Sequence, residues 1–188
     1  MIGIFDSGSG GLSVLRAIRR VLPNADVVYF GDLANMPYGE RSVEDLELLT
    51  VAGAARLYDA GAEIIVWACN SVSAAVVRPK LERLEYTSAV MVEMVGPCVD
   101  GLLSLCGKSG AARVAILATP ATVDSSMYAH ACVDAGIDAA SIACPDLARA
   151  IEARDFILAR EKIKVAIDAA AALGAEIIAL CCTHYPLV

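Results

Sequence analysis

Four short stretches hold the residue types that could move protons or attack a carbon: Asp6-Ser7, Cys69-Asn70-Ser71, Thr119 to Thr122, and Cys182-Thr183-His184. A thiol has an ordinary pKa of about 8.5, so it acts as a base only where a helix N-terminus or a neighbouring base helps to form the thiolate. Asp6 near Cys69 and His184 near Cys182 are candidates for that help, although His184 reads equally well as a helix cap. Cys98, Cys106, Cys132 and Cys144 read as small buried hydrophobes. Cys181 precedes Cys182 on an extended run and should therefore point to the other strand face. For the same reason Cys181, Cys182 and His184 make a poor joint metal set, and no metal is expected. His130 reads as a surface residue of a helix.

The elements that must position these groups form an alternating series. Short runs rich in Ile and Val predict strands near 2–5, 27–31, 63–68, 88–93, 113–118, 138–143 and 176–181. Alanine-rich stretches predict helices over 11–22, 43–60, 71–84, 96–106, 123–135, 145–152 and 160–173, with a loop around "CGKSGAAR" at 106–113. That alternation is the pattern of an α/β fold with mainly parallel sheets. In such folds ligands bind beyond the carboxyl ends of strands, where all four polar stretches fall.

An internal repeat orders them further. "GAEIIVWACNS" at 61–71 recurs as "GAEIIALCCTH" at 174–184, which aligns Cys69 with Cys182. The same offset sets Asp6 opposite Thr119. Two pseudo-symmetric lobes, 1–94 and 95–188, are therefore expected, with the site in the cleft between them. A twofold arrangement of the lobes brings Cys69 and Cys182 to one cleft from opposite sides. That is the geometry for chemistry on two faces of one carbon.

Two further loops could hold an anion. "FDSGSGGLSV" joins a strand to a helix and offers exposed N–H groups, but Ser13 breaks the dinucleotide glycine pattern and no P-loop lysine follows. A tight turn capped by Asp6 or Ser7 explains it equally. "NMPYGERS" at 35–42 is either an ordinary Pro-Gly turn or one whose Tyr38 and Gly39 N–H groups face a ligand.

Composition excludes other classes. The 188 residues are 57% hydrophobic, yet no apolar run approaches a bilayer span. The start "MIGIFDSGSGG" lacks a secretory signal, which makes the cytoplasm the default location. There the seven cysteines are expected as reduced thiols. A net charge of −7 without a basic stripe argues against a nucleic-acid partner.

Together "IGIFDSGSGGLSVLRAI", "GDLANMPYGERS", "WACNSVSAA", "ATPATVDSSMY" and "CCTHYPLV" closely resemble the glutamate racemases of the aspartate/glutamate racemase superfamily, from residue 2 to the end of the chain. The resemblance implies cofactor-independent interconversion of L- and D-glutamate, the D-isomer serving peptidoglycan synthesis. It implies catalytic roles for Cys69 and Cys182. It implies substrate contacts at Asp6, Ser7, Tyr38, Gly39, Asn70, Ser71, Thr183 and His184, with Thr119 and Thr122 as additions. Ser71 stands where the family commonly has threonine, and Gly96-Pro97 where Glu-Pro is more usual. Pro120 occupies a position at which some members carry a glutamate supporting the second cysteine, which leaves His184 as its proton partner. Family members also continue past the "CTHYPL" motif to complete the first lobe. A chain without that return reads as a fragment, as one closed by homodimerisation, or as an inactive binding protein. Aspartate is the alternative substrate.

Overall fold

The structure, a computed structural model, describes residues 1–77, 89–110 and 113–188. The first sheet holds β1 (Ile2–Asp6), β2 (Val27–Gly31), β3 (Ile64–Trp67) and β4 (Val90–Val92) in the order β2-β1-β3-β4. The second holds β5 (Val114–Ala118), β6 (Ala139–Ala143) and β7 (Ile177–Cys181) in the order β6-β5-β7. Every pairing in both sheets is parallel. The fold is thus α/β with two lobes, and the apolar strands follow from it: β5, central and covered on both faces, is buried at all five positions.

The helices are α1 (Leu12–Val21), α2 (Val43–Asp59), a short α3 (Asn70–Val72) running into a π-helical turn at Ser73–Val77, α4 (Val95–Ser109), α5 (Pro120–Asp124), α6 (Met127–Asp134), α7 (Leu147–Glu152) and α8 (Phe156–Ala172). The repeat extends beyond the cysteine motifs. Shifting α2 by 113 residues superposes its bounds on those of α8. The caps follow the same rule: Ser42 accepts from the Asp45 N–H at 3.2 Å, and Asp155 accepts from the Leu158 N–H at 3.1 Å. Both long helices then end at a left-handed glycine, Gly61 at φ 89° and Gly174 at φ 71°.

Differences from the sequence reading have local causes. α8 begins a turn earlier than position 160 because of the Asp155 cap. The helix expected over 123–135 is two helices. The Ser125 hydroxyl donates to the Thr122 carbonyl at 2.7 Å and accepts the Met127 N–H at 3.3 Å, and Ser126 turns left-handed at φ 57°. The loop expected from 106 starts only at Gly110, whose φ of 69° stops α4. Of the helix expected over 71–84, positions 78–84 lie outside the described residues, as does position 88 of the fourth strand.

Each lobe has its own core. In the first, the Phe5 ring packs on Trp67 at 5.1 Å and on Phe30 at 5.7 Å between centroids. A Cβ at Gly53 would stand 2.1 Å from that ring, so the α2 backbone closes on Phe5 only through glycine. The cores interlock where the lobes meet: Ala74 packs into the second and Ala121 into the first. Among the described residues no helix is long and apolar enough to cross a membrane.

Candidate active site

The parallel registers bring the carboxyl ends of β1, β3, β5 and β7 to one cleft. Cys69 follows β3 as the residue before α3, and the Cys69 N–H donates to the Phe5 carbonyl at 3.3 Å, tying this turn to the end of β1. Cys182 follows β7 in the matching place. Cys181 packs in the core on one face of the second sheet and Cys182 on the other, as strand alternation requires.

Both thiols line a cavity together with Ser7, Met36, Pro37, Tyr38, Gly39, Asn70, Ser71, Thr119, Ala148, Glu152, Thr183 and His184. Its volume is about 20 Å³, little more than the space of one water and too small for a dicarboxylic amino acid. Admission of such a ligand requires the cavity to widen. Asp6 and Thr122 sit one layer behind this lining. The Asp6 carboxylate accepts the Thr183 hydroxyl at 3.1 Å and the Gly8 N–H at 3.0 Å. Thr122 joins Ser71 and Thr119 in a buried hydroxyl cluster, in which Thr119 lies 2.9 Å from each of the other two. Pro120 fills the first position of α5, where a missing N–H is harmless, and Thr119 caps that helix.

The Cys182 Sγ lies 3.9 Å from His184 Nδ1, and His184 Nε2 lies 2.6 Å from Glu152 Oε2. With Nε2 donating to the carboxylate, Nδ1 turns its lone pair toward the thiol. Ser9 donates to the same Glu152 oxygen at 2.8 Å, so the glycine-rich loop of the first lobe braces the imidazole of the second. Glu152 is thus an acid beside the second cysteine that the sequence analysis does not name. It was missed because it lies 32 residues from His184 at the end of an unremarkable helix. One signal was present: an acidic residue at a helix C-terminus opposes the helix dipole and needs another partner.

The glycines of "DSGSGG" act through close approach. A Cβ at Gly10 would lie 2.5 Å from Thr183 Oγ1 and 2.8 Å from His184 Nδ1, and one at Gly11 2.5 Å from Asp6 Cβ. The "NMPYGERS" loop is also tightly held. Tyr38 is buried and donates its hydroxyl to Asp32 at 2.7 Å, while the Gly39 carbonyl accepts the Ala121 N–H at 2.9 Å. A Cβ at Gly39 would meet Thr119 at 2.7 Å. His130 is exposed, as expected of a surface residue.

Electrostatics separate the two thiols from bulk cysteine. Burial pushes Cys69 up to about 11, with the Asp6 charge adding to the rise and the N–H groups of Val72 and Ser71 and the Ser7 hydroxyl opposing it. Cys182 is raised further, again chiefly by burial, against the N–H groups of His184 and Tyr185. Burial also raises Asp6, opposed first by His184. Both thiols therefore rest protonated at neutral pH, each with two backbone N–H groups ready for a thiolate.

Fold and site define a two-lobed α/β enzyme with a pair of thiols in its cleft. The family described as Asp/Glu/Hydantoin racemase matches the chain over residues 2–188, and the chain belongs to that family. It is similar to the glutamate racemase of Jannaschia sp. (strain CCS1), 36% identical over 205 residues that cover 100% of this chain and 73% of the relative. Among solved structures it resembles glutamate racemase isoform RacE1 from Bacillus anthracis, with a TM-score of 0.87 and 30% identity over 100% of this chain and 70% of that one. It also resembles the Francisella tularensis glutamate racemase in complex with D-glutamate, with a TM-score of 0.83 and 30% identity over 99% and 69%.

Proposed function

We propose that this chain interconverts L- and D-glutamate without a cofactor, with Cys69 and Cys182 as the two acid–base groups. The observation that carries the reading is that thiols at repeat-related strand ends line one cavity. One thiolate removes the α-proton while the opposite thiol delivers a proton to the other face, and the roles exchange with direction. His184, held by Glu152, takes and returns the Cys182 proton through Nδ1. Asp6 is the corresponding base for Cys69, with the Ser7 hydroxyl hydrogen-bonding the thiol. Among the described residues the lining carries no lysine or arginine, so the substrate's own ammonium group supplies the cation that favours a thiolate.

The hydroxyls of Ser7, Ser71 and Thr119, the Asn70 amide and the N–H groups of Tyr38 and Gly39 are the donors for the two carboxylates, and the Thr183 hydroxyl joins them when it releases Asp6. Donors near the α-carboxylate stabilise the charge that develops as the α-carbon loses its proton. The names of the relatives and neighbours support glutamate over aspartate. A cellular role follows from the product: D-glutamate for peptidoglycan, made in the cytoplasm. The test is the optical rotation of L-glutamate and of L-aspartate incubated separately with the purified chain. Decay of the glutamate signal to zero, with aspartate slower, is expected. Faster aspartate turnover, or none with either in folded protein, contradicts the reading.

A further inference from the structure

The second lobe contains a thiol pair that the proposed chemistry does not use. Cys98, near the start of α4, and Cys181, the last residue of β7, have their sulfurs 3.9 Å apart. Cys98 is half-buried, whereas Cys181 is 1% exposed. An open cavity of about 310 Å³, lined among others by Asn70, Pro97, Cys98, Tyr128 and Cys182, gives small molecules a route to the Cys98 sulfur. The pair is connected to both halves of the site. Cys181 precedes Cys182 directly, and Tyr128, which packs in the same core as Cys181, donates its hydroxyl to Asn70, the neighbour of Cys69.

We propose that Cys98 and Cys181 form an oxidation site for hydroperoxides, and that the resulting disulfide switches off the adjacent cleft. The Cys98 thiolate attacks one oxygen of the hydroperoxide. The O–O bond breaks, an alcohol (water from hydrogen peroxide) leaves, and Cys98 becomes a sulfenic acid. The Cys181 sulfur attacks the Cys98 sulfur, the S–S bond forms, and the S–O bond breaks. The departing hydroxide leaves as water with the Cys181 proton. Two thiols and one hydroperoxide give one disulfide, one alcohol and one water. The roles follow from the environment: the Cys181 thiol hydrogen-bonds Cys98 and holds it below the ordinary thiol range, while Cys181 is held well above it.

A disulfide needs the sulfurs at about 2.05 Å, so bond formation draws the end of β7 toward α4 and shifts Cys182, Thr183 and His184. A displacement of about 1 Å at a reacting group is enough for a large loss of rate. Cys106 and Cys132 pack in the same core and are the competing partners for Cys98.

The experiment treats the full chain with a few equivalents of hydrogen peroxide, then alkylates, digests and sequences it by mass spectrometry. The expected product is a Cys98–Cys181 cross-link, two hydrogens lighter than its parts, assigned by fragments that distinguish Cys181 from Cys182. Racemisation should fall roughly tenfold or more and return with dithiothreitol, while Cys98→Ala starts at the wild-type rate and resists the reversible loss. Oxidation that links other cysteines instead, a cross-linked protein of undiminished activity, or equal reversible loss in Cys98→Ala each overturns the proposal. The activity arm rests on the racemase reading. The cross-link, with a changed alkylation rate at Cys182, decides the matter even if the chain racemises nothing.

Discussion

Cys69 and Cys182 stand in the same turn of two repeat-related lobes, each behind a parallel strand and each beneath two backbone N–H groups. Their side-chain surroundings differ. Cys69 faces Asp6 and Ser7, whereas Cys182 faces an imidazole fixed by Glu152. The internal repeat accounts for the matched backbone, because strand ends and helix starts are properties of the fold. The different partners are compatible with the proposed mechanism, because removal and delivery of a proton at two faces of a chiral carbon need not use the same base. The halves are also fastened to each other through these partners: Thr183 to Asp6, and Ser9 to Glu152. In the proposed mechanism, the hydrogen bonds that join the lobes also hold the groups beside the two thiols.

Removal of either thiol has the largest expected effect. Cys69→Ala and Cys182→Ala should each lower turnover by roughly 10²–10⁴-fold, the usual contribution of a positioned acid or base, as read by rotation of L- and D-glutamate. Because the enantiomers have equal free energy, kcat/KM must fall equally in both directions. A variant with wild-type turnover removes its thiol from the mechanism.

Glu152→Gln sharpens the difference between the partners. It keeps the shape but lets the imidazole choose the other tautomer, so turnover should drop by about a hundredfold while the melting temperature changes little. An unchanged rate means that His184 needs no carboxylate.

Gly10→Ala attacks the contact between the halves. Its Cβ meets Thr183 and His184 below 3 Å, backbone included, and should lower stability by about 1–3 kcal/mol together with activity. Gly101→Ala, inside α4 with open space around it, should instead stabilise by about 0.5–1 kcal/mol. Urea denaturation measures both, and equal effects contradict the close-approach account.

The smallest effect at neutral pH is electrostatic. Cys69 binds its proton more tightly folded than unfolded, so its contribution is fully present below pH 9 and is lost as pH rises toward about 11. The loss is of order 2–3 kcal/mol. Cys69→Ala should flatten that alkaline decline in urea titrations at several pH values, and a parallel decline in both proteins contradicts the burial argument.

Much of this was legible in the sequence because it is local or periodic. The strands, the α/β class and the pairing of Cys69 with Cys182 follow from apolar runs and from one repeated "GAEII" segment. What escaped was set by contacts distant in sequence. Glu152 carries no motif, and only the fold brings it to His184. The break at Ser125 and Ser126 depends on which backbone groups a hydroxyl takes. The packing of the glycine loop and of the hydroxyl cluster, which sets Asp6 and Thr122 one layer behind the cavity lining, likewise depends on contacts distant in sequence.

If two thiols act on opposite faces of one carbon, exchange of the α-proton in deuterium oxide must depend on which thiol is present. Wild-type protein should label both enantiomers of glutamate. Each single cysteine variant should lose racemisation yet retain exchange with one enantiomer, Cys69→Ala and Cys182→Ala retaining opposite ones. Exchange of both enantiomers by either variant at the wild-type rate would contradict the account, because a single thiol would then serve both faces.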